Sequence, residues 1–334
     1  MPRITRHRVH LARISRRGAT PARTRQALRT RAVRFAAAGA ALAAGLALAA
    51  CGSSGGSSPL QPKASKGTVV VGSANFPEDE VLAEIYSLAL QAKGVHVTEK
   101  FNIGSREVYY PEVVKGAISI IPEYNGALLT TSVNPKSTAA STSQVNAALR
   151  AELPKSVEIL NSSSAQDKDS VTVTQAFATK HHITSIAQLK PYAKSMLIGA
   201  APEFKTREAG LVGLRKDYGL TFKGFVPTDE SGPVAIRDLQ TGKIQAADIF
   251  TTTPQIKQLH FLALADPKFV FAAQNVTPLV YKKAMTSTIV DTLNAISAKL
   301  TTAGLLEMNR ELSIEHQDYS TVATNWLKSV GLMK

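Results

Sequence analysis

Four loops of the sequence combine aromatic rings, polar side chains and one arginine, each directly after a segment typical of a buried β-strand. They are residues 72–78, 122–126, 201–208 and 250–253. Aromatic faces attract a diffuse cation, and a guanidinium pairs with a carboxylate. Each of these residues alone could be a loop cap, a surface charge or a core aromatic. Together they predict a binding site for a small zwitterion.

Motifs that would indicate other chemistry are missing from the sequence. It has no nucleophile elbow between a strand and a helix, no phosphate-binding glycine-rich loop and no His-Glu-x-x-His. The adjacent His181 and His182 could bind a metal, but no Asp, Glu or Cys lies at ligand spacing. A helix C-terminus, where partial positive charge is favourable, explains the pair better. The sequence therefore predicts no catalytic residue, no metal and no cofactor.

The elements that position the four loops follow a strand–helix alternation. The first series predicts strands at 68–72, 95–101 and 118–121, with helices at 81–89 and 105–115. The second predicts strands at 196–199, 221–226 and 244–250, with helices at 207–218 and 233–240. Two tandem α/β units are therefore expected.

The C-terminal part predicts how the two units are joined. A strand at 276–281 is followed by helices at 289–300, 304–312 and 319–330. We expect this part to return to the first unit, which gives a first lobe at 68–172, a second lobe at 173–275 and a return at 276–334. The carboxyl ends of strands from both lobes would then face a ligand cleft.

The amino-terminal segment carries most of the net charge of +14. Residues 1–50 contain eleven arginines and no acid, so the rest has 28 basic and 25 acidic residues, a net charge of +3. That is an ordinary soluble surface, and it excludes a nucleic-acid partner as the reason for the charge.

Residues 35–50 form an apolar run that ends in Leu48-Ala-Ala-Cys51-Gly. The run is short and alanine-rich for a membrane span but suits a signal peptide. Because Cys51 is the only cysteine, we expect a lipoprotein signal at 1–50, lipidation of Cys51 and no disulfide. The pair Arg16-Arg17 leaves both the general secretory and the twin-arginine routes open. Residues 51–67 are typical of a flexible linker, so the protein is expected on the extracytoplasmic face of the membrane.

Several motifs resemble one family when they are taken in order. They are Gly72-Ser-Ala-Asn-Phe76, Ile103-Gly-Ser-Arg-Glu107, Pro122-Glu-Tyr-Asn-Gly126, Pro202-Glu-Phe-Lys-Thr-Arg-Glu208 and Thr277-Pro278. The chain resembles, over nearly all of residues 68–334, the glycine betaine/carnitine/choline-type substrate-binding proteins of osmoprotectant ABC importers. The resemblance implies a two-lobed type II periplasmic binding protein fold of the α/β class, with a permease and its ATPase as partners. We expect the protein to be a monomer.

In that family a box of aromatic rings holds the quaternary ammonium group and an arginine holds the carboxylate. The resemblance places Tyr124, Phe250 and Phe76 at ring positions and Arg207 at the arginine position. Two ring positions are lost, because Ser170 and Gln274 stand where tyrosines are expected. Likewise Ala74 replaces a lysine used by some members, and Ala127 replaces a polar residue.

These departures leave the ligand open. Polar side chains in the altered box would suit a larger betaine, such as carnitine, or a different zwitterion, such as ergothioneine. Arg106 could reach the cleft or be solvated. The predicted ligand-binding residues are Asn75, Phe76, Tyr124, Asn125, Asp169, Ser170, Glu203, Arg207, Phe250, Thr251, Gln274 and Asn275.

Two other functions compete with a transport role. An enzyme on the same scaffold could use Glu203 or Glu123 as acid or base, although nothing in the sequence requires it. A surface lipoprotein could use the cleft only to sense a solute.

Overall fold

A computed structural model describes residues 67–334, in which two five-stranded sheets each form the centre of a lobe. The predicted signal peptide, Cys51 and residues 51–66 of the predicted linker lie outside the described residues. Within the described residues, no helix is long and apolar enough to cross a membrane.

The first lobe begins with the predicted β-α-β-α-β series. Its elements are β1 (Thr68–Gly72), α1 (Pro77–Gln91), β2 (His96–Lys100), α2 (Arg106–Lys115), β3 (Ile120–Tyr124), α3 (Asn125–Leu128), α4 (Thr142–Glu152) and β4 (Val157–Ile159). All five residues of β3 are buried, as expected for a central strand that is covered on both faces. Pro77 at the start of α1 and acidic residues in its first turn favour the helix N-terminus.

The second lobe contains the next series of elements. They are β5 (Val171–Thr174), α5 (Gln175–His181), β6 (Leu197–Ala200), α6 (Gly213–Tyr218), β7 (Gly224–Pro227), α7 (Pro233–Gln240), β8 (Ala246–Asp248), α8 (Gln255–Gln258) and β9 (Phe261–Ala263). His181 ends α5 and His182 is its left-handed C-cap, so the pair lies at the predicted helix C-terminus.

The chain then returns to the sheet of the first lobe. Strand β10 (Val276–Tyr281) pairs antiparallel with β3 and β4. Helices α9 (Ser287–Lys299), α10 (Thr302–Ser313) and α11 (Tyr319–Ser329) pack on α1. The sheet orders are β2-β1-β3-β10-β4 and β7-β6-β8-β5-β9. The chain therefore crosses between the sheets twice, within 160–170 and 264–275.

One predicted helix is wrong. The helix expected at 207–218 begins only at Gly213, because the backbone of Ala209 and Gly210 leaves the helical region. A Cβ on Gly210 would lie 2.3 Å from the carbonyl oxygen of Phe204, so this turn folds tightly back on the preceding one. The break leaves Arg207 extended, in a loop and not on a helix.

A close backbone contact sets the position of the second crossing. A Cβ on Gly126 would lie 2.3 Å from the carbonyl oxygen of Ala273. We expect Gly126→Ala to lower the free energy of unfolding by about 2 kcal/mol, since overpacking typically costs 1–3 kcal/mol. Urea denaturation measures it. The control is Gly304→Ala in α10, where the new Cβ finds only ordinary contacts and helix propensity favours alanine. Equal stability of the two variants would contradict this account of Gly126.

Candidate functional site

Three aromatic rings from three strand ends meet between the lobes. Phe76 ends the β1–α1 loop in an extended conformation, Tyr124 is the last residue of β3, and Phe250 follows β8. The ring centroid of Phe76 lies 5.8 Å from that of Tyr124 and 5.3 Å from that of Phe250. The rings of Phe76 and Phe250 are arranged edge to face. Asp79 stabilises the loop that carries Phe76, because its carboxylate accepts the amide of Ala74 at 2.6 Å.

These rings line a small space that we call the ring cavity, with a volume of about 30 Å³. Its lining comprises Phe76, Arg106, Tyr124, Ala127, Asp167, Asp169, Arg207, Glu230, Phe250 and Gln274. Six of these are predicted site residues. Since one water needs ~10–15 Å³ of cavity volume, the cavity as it stands has room for about two waters. A trimethylammonium group can enter only if the lobes separate or the rings turn.

The other predicted site residues do not line this cavity. The side-chain oxygen of Asn125 accepts the amides of Gly126 and Asn275. Asn275 bonds through its side chain to Thr142 and the carbonyl of Ser163. Both asparagines therefore hold the second crossing to the first lobe.

Ser170 and Thr251 also make hydrogen bonds within the protein. Ser170 donates to the carbonyl of Ile249 at 2.5 Å. The hydroxyl of Thr251 accepts the amide of Lys168 at 2.9 Å, which joins the first crossing to the loop after β8.

Asn75 and Glu203 lie at the margin of the cavity. With its amide nitrogen turned towards the two acceptors, Asn75 donates to the carbonyl of Gly104 at 3.1 Å and to Glu230 at 3.2 Å. Glu203 stands 3.8 Å from Arg207. Asn75 therefore contacts one residue that lines the cavity, Glu230, and Glu203 contacts another, Arg207.

Two guanidinium groups, one from each lobe, face the ring cavity. Arg106 of α2 is buried and makes three hydrogen bonds of 2.9–3.1 Å to the buried carboxylate of Glu123. Arg207 of the second lobe donates twice to Glu107 of α2, through Nε and Nη2, at 2.9 Å each. Burial of Glu107 opposes its ionisation, but Arg207 outweighs it and lowers the pKa of Glu107 to about 2. The Arg207–Glu107 pair is thus an ion pair between the lobes.

Glu78, buried at the start of α1, forms a second tie between the lobes. Its carboxylate accepts the hydroxyls of Tyr124 and of Thr252 at 2.6 Å each, and the side-chain amide of Asn309. Thr252 belongs to the second lobe, whereas Glu78, Tyr124 and Asn309 belong to the first. Burial raises the pKa of Glu78, and these hydrogen bonds only partly offset the rise.

Carboxyl groups outnumber the arginines along this cleft. Burial raises the pKa of Asp248, and the negative charges of Asp169 and Glu230 raise it further. A protonated Asp248 can donate to Asp169, whose carboxylate also accepts the side-chain amide of Gln274 at 2.7 Å. Burial also raises the pKa of Asp167. A cationic group in the cavity would therefore meet carboxyl groups as well as rings.

The carboxyl group of Glu230 has a pKa near neutrality. Burial raises its pKa from 4.5 to about 7, while Arg207 and Arg106 lower it and Glu203 and Asp169 raise it. The folded protein thus holds this proton more tightly than the unfolded chain. The resulting stability is present below a pH of about 4.5 and is lost as the pH rises to about 7.

Replacement of this carboxyl group tests the pKa of Glu230. Between about pH 5 and about pH 8, we expect the melting temperature of the wild-type protein to fall roughly 2–4 °C more than that of the Glu230→Gln variant. Glu78 and Asp167 contribute equally to both proteins, whereas the loss of the Glu230 charge also lowers the pKa of Asp248 and so acts in the same direction. Differential scanning fluorimetry across this range measures the difference, and parallel curves would contradict the raised pKa.

Sequence reasoning missed Asp167 and Glu230 and left Arg106 open. Glu230 could have been found, because residues 228–232 follow β7 in the same way that the four selected loops follow their strands. Asp167 lies in the first crossing, after no recognisable element, so no local pattern marks it.

Two α/β lobes joined by crossing segments, with rings and both signs of charge between them, define a two-lobed solute-binding protein. Solved structures share this fold. A glycine betaine/carnitine/choline ABC transporter structure has a TM-score of 0.63 at 19% identity and covers 80% of this chain and 100% of its own. A choline-binding protein in complex with choline has a TM-score of 0.59 at 16% identity, covering 79% and 88%.

Residues 67–329 match the family described as the substrate-binding domain of the ABC-type glycine betaine transport system. The chain belongs to this family. The predicted family, fold class and general function, a substrate-binding protein of an ABC transport system, are confirmed.

Two curated relatives agree with this assignment. The glycine betaine-binding protein YehZ of Escherichia coli (strain K12) is 25% identical over 279 residues, which cover 80% of this chain and 92% of that protein. The ergothioneine transport permease/ergothioneine binding protein EgtU of Helicobacter pylori (strain G27) is 24% identical over 268 residues, covering 79% of this chain and 48% of that protein. This chain therefore spans about half the length of the Helicobacter protein.

Proposed function

We propose that this protein captures a quaternary ammonium solute, such as glycine betaine, choline or carnitine, and presents it to an ABC permease. The observation that supports this most directly is the lining of the ring cavity. Three rings and nearby carboxyl groups favour a diffuse cation, while Arg106 and Arg207 provide donors for a carboxylate. Both halves of a betaine thus find complementary groups in one place.

Calorimetric titration of the purified protein tests this function. We expect a dissociation constant in the micromolar range or tighter for at least one of glycine betaine, choline, carnitine and proline betaine. Ergothioneine belongs in the same series because of the Helicobacter relative and the polar side chains of Asp169 and Gln274. Binding of ergothioneine alone would replace the betaine assignment, and binding of none would overturn it.

We propose binding without turnover. Glu123 does not line the ring cavity, and its oxygens accept hydrogen bonds from Arg106, Tyr109 and the amide of Tyr124. Glu203 does not line the cavity either. Recovery of each ligand unchanged after long incubation is expected. Any product formed would support an enzyme instead.

We also propose that the protein acts as a monomer outside the cell, held to the membrane through lipidated Cys51. The apolar run that ends at this single cysteine supports the anchor. When cells are labelled with a radioactive fatty acid, the wild-type protein should carry the label and the Cys51→Ala variant should not. Equal labelling of the two would remove the lipid anchor from the proposal.

A further inference from the structure

A second and much larger space, which we call the lateral cavity, lies beside the ring cavity between the lobes. Its volume is about 620 Å³, within the ~300–1,000 Å³ typical of pockets that hold small organic ligands. The starts of α1 and α11 and the end of α10 form its first-lobe wall. Helix α7 and the loop after β8 form its second-lobe wall. A molecule bound there would contact both lobes.

The wall of the lateral cavity is apolar over much of its length. Its rings and aliphatic side chains include those of Phe76, Pro77, Ile236, Phe250, Leu312 and Tyr319. The carboxyl groups among its lining residues are Glu78, Asp167 and Glu230, and Asp167 and Glu230 also line the ring cavity. Asp167 and Glu230 therefore stand at the boundary of the two cavities, where their ionised forms favour a cation.

A pair of aromatic rings and two acids are shared by the two cavities. Phe76, Asp167, Glu230 and Phe250 line both spaces. The Phe76 ring comes from the first lobe and the Phe250 ring from the second, and they touch edge to face at 5.3 Å. Because the rings belong to opposite lobes, separation of the lobes parts them and joins the two spaces into one. A ligand can then enter with its head in one cavity and its remainder in the other.

We propose that the lateral cavity is a second subsite that receives an apolar substituent of the ligand whose cationic head is held by the rings. This inference rests on the proposed function, because it takes the ring cavity as the site of the head. It assigns to the protein a quaternary ammonium compound larger than glycine betaine or choline. The apolar wall contributes affinity for the substituent, and the acids at the boundary fix the position of the head.

A series of trimethylammonium compounds with alkyl chains of increasing length tests the subsite. Tetramethylammonium and butyl-, hexyl- and octyltrimethylammonium are titrated into the purified protein by calorimetry. We expect the affinity to rise about threefold to fourfold for each methylene group, as for apolar surface removed from water. If tetramethylammonium binds but longer chains bind no better, the subsite is wrong and the proposed function stands. If no member of the series binds although glycine betaine or choline does, the subsite is wrong and the proposed function stands; if none of these ligands binds, both are wrong.

Two matched variants on one helix show where the alkyl chain of the ligand binds. Leu312→Trp on α10 fills part of the lateral cavity, whereas Leu306→Trp places the same ring on the exposed face of that helix. We expect Leu312→Trp to bind tetramethylammonium normally and to lose the gain with chain length, and Leu306→Trp to keep it. A gain that survives in Leu312→Trp would overturn the proposal. If Leu312→Trp does not fold, Ile236→Trp on the opposite wall makes the same test.

Discussion

Arg207→Ala is expected to lower the affinity for glycine betaine about a hundredfold but the affinity for choline only a few-fold. A hydrogen-bonded charge contributes about 1.5–3 kcal/mol, and each 1.4 kcal/mol corresponds to about tenfold in affinity. Choline has no carboxylate, so it loses only what Arg207 contributes by joining the lobes. Calorimetric titration of both ligands into the same variant measures the difference.

Two further variants separate the roles of Arg207. Glu107→Gln removes the charge that Arg207 pairs with between the lobes and leaves Arg207 itself in place. Because Glu107 is partly exposed, this pair contributes ~1 kcal/mol or less, so both ligands should lose affinity equally and by a few-fold. Lys205→Ala, in the same loop and exposed, should change neither. Equal losses for the two ligands in Arg207→Ala would exclude Arg207 as the carboxylate partner.

Glu78→Ala is expected to lower the free energy of unfolding by about 3 kcal/mol, since breaking a buried hydrogen-bonded network typically has an effect of this size. The substitution leaves Tyr124, Thr252 and Asn309 without their common acceptor. Choline affinity should fall about tenfold as well, because the closed arrangement of the lobes loses one of its ties. Urea denaturation and calorimetry give the two values.

Thr252→Val distinguishes the contribution of Glu78 to folding stability from its contribution to closure of the lobes. It removes the contact that the second lobe makes with Glu78, so we expect a loss of only about 1 kcal/mol in stability with a loss of affinity close to that of Glu78→Ala. Thr241→Val, at the exposed end of α7 in the same lobe, is the control for the loss of a hydroxyl. An unchanged affinity in Thr252→Val would mean that Glu78 stabilises the first lobe alone.

Local pattern predicted the fold wherever it was strong. Buried parallel strands such as β1 give continuous apolar runs, and α1 has apolar residues at helical spacing. Strands β4 and β9 have three residues each, too few to show a period. Helix α4 buries only Val145 and Leu149, although the capping box at Ser141 marks its start.

The aromatic rings of the candidate site could be predicted from the sequence, but the hydrogen bonds and ion pairs that connect its residues could not. Loops after strands brought Phe76, Tyr124 and Phe250 together because carboxyl ends of strands share an edge. The contact of Glu78 with Asn309 joins residues 231 positions apart, and no local pattern encodes it. Nor does sequence alone show that Arg207 already has a partner in Glu107, since that depends on how far the lobes close.

The two ties between the lobes have a consequence for transport kinetics. The ion pair of Arg207 with Glu107 and the network around Glu78 join side chains of the protein to one another, so each stabilises contact between the lobes whether or not a solute is bound. Ligand then shifts a population that already exists. A permease that recognises the closed form would bind empty carriers too, and these would compete with loaded ones. The uptake rate should therefore depend on the ratio of solute to carrier, and excess carrier would slow import when solute is scarce.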